Sequence, residues 1–252
     1  MIGKPSSEAY RTIRKETGLR RYIDNTSAPV DVIVNYGLGA AGMNSFLRSH
    51  RKARALPIIN KELGISKYTA LKRVTEDEIL VPESKLMLSQ SDIKTEWIEK
   101  KFYSARGYGI RLAGGRERMV DKYYQKFIKN RVYELRVAAF LWVPKSEWGI
   151  FKRLGDSNKI AWNFHQGGHF TSIIDTSAQT FQRAIDISEK ALKVLKMGFG
   201  AVDFLVDDSR RVYFIEVNSA PGFSELSGGA YIHAFQKLPD TPIKKLRDIA
   251  NE

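Results

Sequence analysis

Apolar, β-branched runs alternate with amphipathic stretches through the first third of the chain. Residues 29–38 (PVDVIVNYGL) form a β-branched run stopped at Gly37 and predict a first strand. Residues 40–54 then space their apolar positions as a helix does, and 55–60 (ALPIIN) read as a short strand closed by a polar residue. SKYTALKRVTEDE predicts a helix that opens with Ser66 as its N-cap. The next segment, EILVPESKLML, is extended, because Pro82 has no N–H with which to continue a helix. This β-α-β-α-β order predicts a small parallel sheet.

From Glu96 the pattern becomes that of antiparallel strands. EWIEKKFYS and IRLA read as two strands around a glycine-bearing turn, and MVDKYYQKFI as a third, followed by a polar break at 129–131. Residues 133–143 (YELRVAAFLWV) carry the strongest strand signal, and WGIFKRL pairs with them. Residues 178–197 predict an amphipathic helix with Phe181, Ile185, Ala191, Leu192 and Leu195 on one face. AVDFLVDD and RVYFIEVN predict a hairpin about a polar turn at 208–210.

Composition narrows the class. At 43% hydrophobic and 27% charged, the 252 residues are too apolar for a disordered chain and long enough for a substantial core. No apolar run approaches the roughly 18 residues of a membrane span, and the first residues lack the apolar stretch of a secretory signal. The expectation is therefore a cytoplasmic protein without a membrane partner. The absence of Cys excludes thiolate metal sites, disulfides and a cysteine nucleophile. The 41 Lys and Arg outweigh 28 Asp and Glu to give +13, with clusters at Lys4, Arg11, Arg14, Lys15, Arg20 and Arg21 and at Arg48, Arg51, Lys52 and Arg54. Such charge attracts nucleic acid or acidic peptides, or is simply solvated surface. Tyr10 and Tyr22 among these cations lack the regular spacing of a base-stacking platform, so no motif supports nucleic acid.

The last predicted hairpin is the best chemical clue. Glu216 and Asn218 share one strand face, and pairing about the 208–210 turn brings Asp203 next to Glu216. Three oxygen donors on one face suit a hard cation such as Mg²⁺ with nucleotide phosphates; the alternative is carboxylates satisfied by Lys or Arg. A second clue is KKFYSARGYG, where Lys100 ends a strand and Ser104, Gly107 and Gly109 lie in the turn. Small residues there let backbone N–H groups approach phosphate, although a glycine-bearing turn is by itself common. His165 and His169 flank Gly167 and Gly168, which disfavour a helix, so a polar loop is the simpler reading than a metal pair. Trp142, Trp148 and Trp162 read as core, and Phe223 and Tyr231 follow the last hairpin as candidate site residues.

In this order, a lysine and small-residue loop, then YYQKFI…YELRV, then D…IEVNSAPGF, the chain resembles the ATP-grasp superfamily. The likeness is greatest to the D-alanine–D-alanine ligases and the ribosomal-protein glutamate ligases. The most specific element is the 13-position spacing from Asp203 to Glu216, followed by Asn218 and Pro221-Gly222. The resemblance implies an α/β (α+β) ATP-grasp fold: a short parallel βαβ domain over 1–60, a small grasp subdomain with the phosphate loop over 61–128, and a large one with the metal site over 129–252. It implies ATP as cofactor with one or two Mg²⁺ ions, Mn²⁺ being able to substitute.

The resemblance also assigns roles residue by residue. Lys67 matches the first phosphate-contacting lysine and Lys100 the second, with Ser104, Gly107 and Gly109 closing over the phosphates. Gln125, Lys126, Phe127 and Ile128 match the hinge that reads adenine, and Glu134 the acid that binds the ribose. Arg136 and Arg153 lie where relatives place arginines facing the γ-phosphate and the acyl phosphate, so that Lys100, Arg136 and Arg153 are the catalytic set. Asn163 matches the Asn before a Gly pair, and Asp203, Glu216 and Asn218 the metal ligands. Lys101 replaces a frequent Pro and Gln125 a frequent acid. The implied activity is ADP-forming carboxylate–amine ligation through an acyl phosphate; the +13 charge, concentrated in the first domain and its flanks, adds the expectation that one substrate is anionic or an acidic peptide. The alternatives are an ATP-grasp small-molecule kinase and a nucleotide-binding protein acting on nucleic acid.

Overall fold

The computed structural model describes every residue except 24–28, 63–64, 104–108, 157–158, 161, 163–167, 173–177, 223–224 and 252. Strands of the described residues form three sheets. The first is parallel, in the order β1 (Ile2–Gly3), β2 (Ile33–Tyr36), β3 (Ile58–Ile59). Helix α1 (Glu8–Thr17) follows β1; Ser7 caps it by accepting from the Tyr10 N–H, and Gly18 ends it in the left-handed region. Both signals stand in a segment whose charge alone drew notice. Helix α2 (Ala40–Ser49) links β2 to β3.

The expected small parallel sheet exists, but its third strand is β1 and not the segment after the second helix. That segment forms only β4 (Ser84–Lys85), antiparallel in another sheet. Pro82 and the polar Glu83-Ser84-Lys85 leave it two ladder residues at an edge. Its neighbours there are β5 (Trp97–Lys101), β6 (Arg111–Leu112) and β7 (Lys122–Lys126), in the order β4-β7-β5-β6. Helix α3 (Lys67–Glu76) precedes this sheet, capped as expected by Ser66, which accepts from the Thr69 N–H at 3.1 Å, a contact worth about 1 kcal/mol.

The third sheet contains β8 (Arg131–Phe140), β9 (Gly149–Leu154), β10 (His169–Ser172), β11 (Phe199–Asp207) and β12 (Val212–Asn218), in the order β10-β9-β8-β11-β12, all antiparallel. Helix α4 (Gln179–Val194) buries Ala184, Ile185, Ala191 and Leu192 in the main core, while α5 (Glu225–Gln236) and α6 (Ile243–Asn251) add Phe235, Leu246 and Ile249. Every residue of β11 is buried, as a central strand requires. No helix of the described residues is long and apolar enough to cross a membrane.

The parallel sheet is fastened to β11 by two buried amides. Asn60 donates from Nδ2 to the Phe199 carbonyl at 3.0 Å and accepts from the Gly198 N–H at 2.8 Å. Asn35 donates to the carbonyls of Asn60 and Leu38 and accepts from the Leu38 N–H. Tyr36 stacks on Phe199 and donates its hydroxyl to the Pro221 carbonyl at 2.7 Å. Gly37, at φ +82°, meets the loop after β12 so closely that a Cβ would clash with that of Ala220. These contacts hold the loop after β12 against the end of β2.

Candidate active site

The register of three strands builds the centre of the cleft. Arg136 on β8 faces Asp203 on β11, and Asp203 faces Glu216 on β12, so that one row crosses the sheet. The expected adjacency of Asp203 and Glu216 is therefore present. Two irregularities, invisible to a strict period of two, widen the set. One leaves Ile215 unpaired, and both Ile215 and Glu216 line the cleft. The other leaves Val132 unpaired, and Arg131 joins Glu134 there, 3.5 Å away. The sequence pattern places Arg131 in a polar break, whereas it opens β8.

The opposing wall comes from α3 and the four-stranded sheet. Lys67 opens α3, and its Nζ lies 2.6 Å from Glu216 Oε2. A cation in a first helical turn opposes the helix dipole, at a cost of about 0.3–1 kcal/mol, and α3 has no acid there to offset it. Lys100 on β5 is buried and faces Tyr123 on β7 in register, while Ile98 faces Gln125. The Lys100 ammonium donates to Gln125 Oε1 at 3.0 Å, and Gln125 Nε2 donates to Ser84. The acceptor expected to meet adenine is thus committed to Lys100. Burial lowers the Lys100 pKa to about 8, against the opposing pull of Glu216.

The carboxylates are all paired. Arg136 donates to both oxygens of Asp203, at 2.7 Å each, and Arg153 donates to Glu134 at 2.7 Å. Burial by itself would raise the Asp203 carboxyl, but Arg136, Arg153 and Lys67 hold it below the ordinary range. Burial does push Glu134 up, despite Arg153 and Arg131. Both sequence readings of these acids are therefore visible together: the row of oxygen donors exists, and Arg and Lys satisfy it. Asn218, exposed at the end of β12, accepts from the Ala220 N–H at 3.0 Å. Among the described residues no three His, Asp or Glu side chains gather as a metal cluster. Two carboxylates and an amide carbonyl remain a hard-oxygen set fitting Mg²⁺.

The cavity between these walls is about 120 Å³, lined also by Ile98, Phe127, Ile128, Trp162 and Leu205. Ligand pockets begin near about 300 Å³, so a ligand of that size would require the walls or their side chains to part. A larger hollow of about 640 Å³ lies along the hinge residues Lys126, Phe127 and Ile128, but contains none of Lys67, Lys100, Asp203 and Glu216. The clustered charged side chains line the smaller one.

The remaining expectations divide. Gly109 follows the phosphate loop at φ +79°, a conformation suited to glycine, whereas Ser104 and Gly107 lie outside the described residues, as do Asn163, His165 and Phe223. His169 opens β10 and is extended, not helical. Trp142 and Trp148 are core, but Trp162, although buried, also borders the cleft, where the Arg131 guanidinium lies 4.1 Å from its ring centroid. Tyr231 packs edge-on to Phe140 in the core. Phe170 on β10, which drew no notice in the sequence, lies under both Arg136 and Arg153.

The comparisons agree with this geometry. Residues 163–237 match the family described as the D-ala D-ala ligase C-terminus. No curated protein matches the chain by sequence. The D-alanine–D-alanine ligase of Bacillus anthracis is 16% identical and superimposes over 99% of this chain and 97% of its own, with a TM-score of 0.64. The same ligase complexed with ATP is 17% identical over 98% and 85%, at 0.60. The ATP-grasp ligase PsnB, complexed with a minimal precursor, is 13% identical over 97% and 98%, at 0.63. The chain therefore shares the fold of these ligases, and its residues 163–237 match the C-terminal segment of the D-ala D-ala ligase family.

Proposed function

We propose that the cleft binds ATP with Mg²⁺ and that the protein joins a carboxylate to an amine, forming ADP and phosphate. The carrying observation is the Asp203–Glu216 pairing on β11 and β12, faced across the cleft by Lys67 and Lys100. In this reading residues 1–60 help form the acceptor site, 61–128 are the small jaw and 129–252 the large one. Lys126, Phe127 and Ile128 present hinge backbone to adenine, with Ile98 and Ile215 lining the pocket, and Glu134 takes the ribose hydroxyls. Lys67, Lys100 and the N-terminus of α3 receive phosphate oxygens. Asp203, Glu216 and Asn218 would hold Mg²⁺, which when bound screens phosphate charge.

The substrate carboxylate attacks the γ-phosphate, and the bond to ADP breaks. Arg136, Arg153 and Lys100 stabilise charge on the transferring group. An amine then attacks the acyl carbon, phosphate leaves with its bonding pair, and the amine proton passes to solvent or a base. The glycine-bearing loop at 104–109 excludes water from the acyl phosphate. The cluster of exposed cations at Arg48, Arg51, Lys52 and Arg54 supports an acidic substrate.

The test is product analysis with ATP, Mg²⁺ and a panel of acidic peptides, amino acids and amines. An amide product with ADP is expected; a stable phosphorylated product identifies a kinase instead. Lys100→Ala and Glu216→Gln should each lower turnover by about 10³-fold, with melting temperatures close to that of the parent. If both variants fail to fold, these side chains are structural and the reading is wrong.

A further inference from the structure

Both oxygens of Asp203 are already engaged by guanidinium groups. Arg136 Nε and Nη2 each donate to one of its oxygens at 2.7 Å, and Arg153 Nη2 stands 3.6 Å from the second. The Arg136 and Asp203 side chains are only 19% and 12% exposed, so water screens the pair weakly. A divalent ion and a guanidinium cannot both occupy the inner face of one carboxylate. Leaving Asp203 would be costly for Arg136 if it had nowhere to go, since an unpaired buried charge is heavily penalised. Phe170 already lies beside the guanidinium and would still hold it after the exchange. Its ring centroid lies 5.2 Å from the Arg136 guanidinium carbon and 4.5 Å from that of Arg153, within range of cation–π attraction to both.

Resting on the Mg²⁺-nucleotide reading, we propose that Arg136 is a resident counter-cation of Asp203, exchanged for the divalent ion only when nucleotide enters. Phe170 is the positioning residue that keeps the released guanidinium in the cleft, where it meets phosphate. The metal and the arginine are then interlocked. Without nucleotide, a metal approaching Asp203 must displace an arginine that gains no new partner. With nucleotide, each carboxylate–guanidinium contact given up is replaced by a guanidinium–phosphate contact. The protein therefore takes up its metal with the nucleotide and not before it.

The experiment titrates the full chain with Mn²⁺, following protein-retained ion by equilibrium dialysis against an analogue-only control, with and without a non-hydrolysable ATP analogue. The parent should bind Mn²⁺ weakly alone and tightly with the analogue. Arg136→Gln should tighten binding without nucleotide by about tenfold or more, and Asp203→Asn in that background should abolish the gain. Arg136→Lys, which keeps the charge but loses the two-pronged contact, should fall between and provides the test if the Gln variant does not fold. Phe170→Leu should leave metal binding without nucleotide unchanged and weaken Mn²⁺-analogue binding by about five- to tenfold, while Phe170→Trp restores it. Parent protein that binds Mn²⁺ alone as tightly as the Arg136 variants, yet still binds Mn²⁺ with the analogue, overturns the exchange and leaves the nucleotide site standing. No Mn²⁺-analogue binding by the parent overturns both.

Discussion

The three-stranded and four-stranded sheets both adjoin the five-stranded one, but their seams differ in chemistry. The parallel sheet is joined through neutral groups: Asn60 to the backbone of Gly198 and Phe199, Tyr36 to Pro221, and Gly37 against Ala220. The cleft seam is joined through charge, with Lys67 on Glu216 and buried Lys100 under the influence of Glu216, Glu134 and Asp203. A ligand cannot replace a backbone hydrogen bond in a dry core without leaving a polar group unsatisfied. It can replace an ion pair, because phosphate and metal supply the same charges. If the cleft takes Mg²⁺ and nucleotide as proposed, the neutral seam stays shut and the charged one opens.

The largest test of this contrast is Asn60→Ala. It strips partners from the Gly198 N–H and the Phe199 carbonyl and leaves alanine at φ 59°, so a loss of about 3–5 kcal/mol is expected in denaturant unfolding. Nucleotide affinity of the folded fraction should stay near that of the parent. A stability loss below about 1 kcal/mol would mean that the neutral seam is held elsewhere.

Gly37→Ala probes the same seam more gently. The clash with Ala220 and the positive φ together should cost about 2 kcal/mol, and adding Ala220→Gly should recover the clash but not the backbone strain. Recovery of the full loss by the double variant would show that the left-handed conformation of Gly37 costs alanine nothing.

The smallest effect concerns the charged seam. Lys100 has its pKa lowered to about 8, so its ammonium is lost as pH rises through that value. kcat/KM for ATP should fall about tenfold per pH unit above it, and Lys100→Met should lack this inflection. Stability should move the other way between about 8 and 10.5. There the unfolded chain holds more protons than the folded one, so raising the pH relieves the cost of a buried ammonium. Parallel falls in activity and stability would contradict this assignment.

How much was legible beforehand follows from the range of each interaction. The central hairpin was readable because its alternation and its turn are local: Asp207 accepts from the Arg211 N–H and side chain, and Arg210 takes the left-handed conformation between them. The helix cap at Ser66 and the strands around Lys100 were readable for the same reason. Helix α1 carried equally local signals at Ser7 and Gly18, but the surrounding cations drew the reading to charge.

By itself, the sequence determined the strands around Lys100, the strands from 133 to 154, the helix after 178 and the last hairpin, together with the spacing of Asp203, Glu216 and Asn218. All of these depend on neighbours along the chain. It did not show β10, α5 or α6. Only the tertiary structure decided that β1 completes the parallel sheet and that Gln125 is committed to Lys100. It alone placed Arg131 in the cleft through an unpaired residue and set Arg136 on Asp203 above Phe170. Such pairings join residues tens of positions apart. Strand register and the burial of opposite charges select them, and neither quantity exists until the sheets have packed.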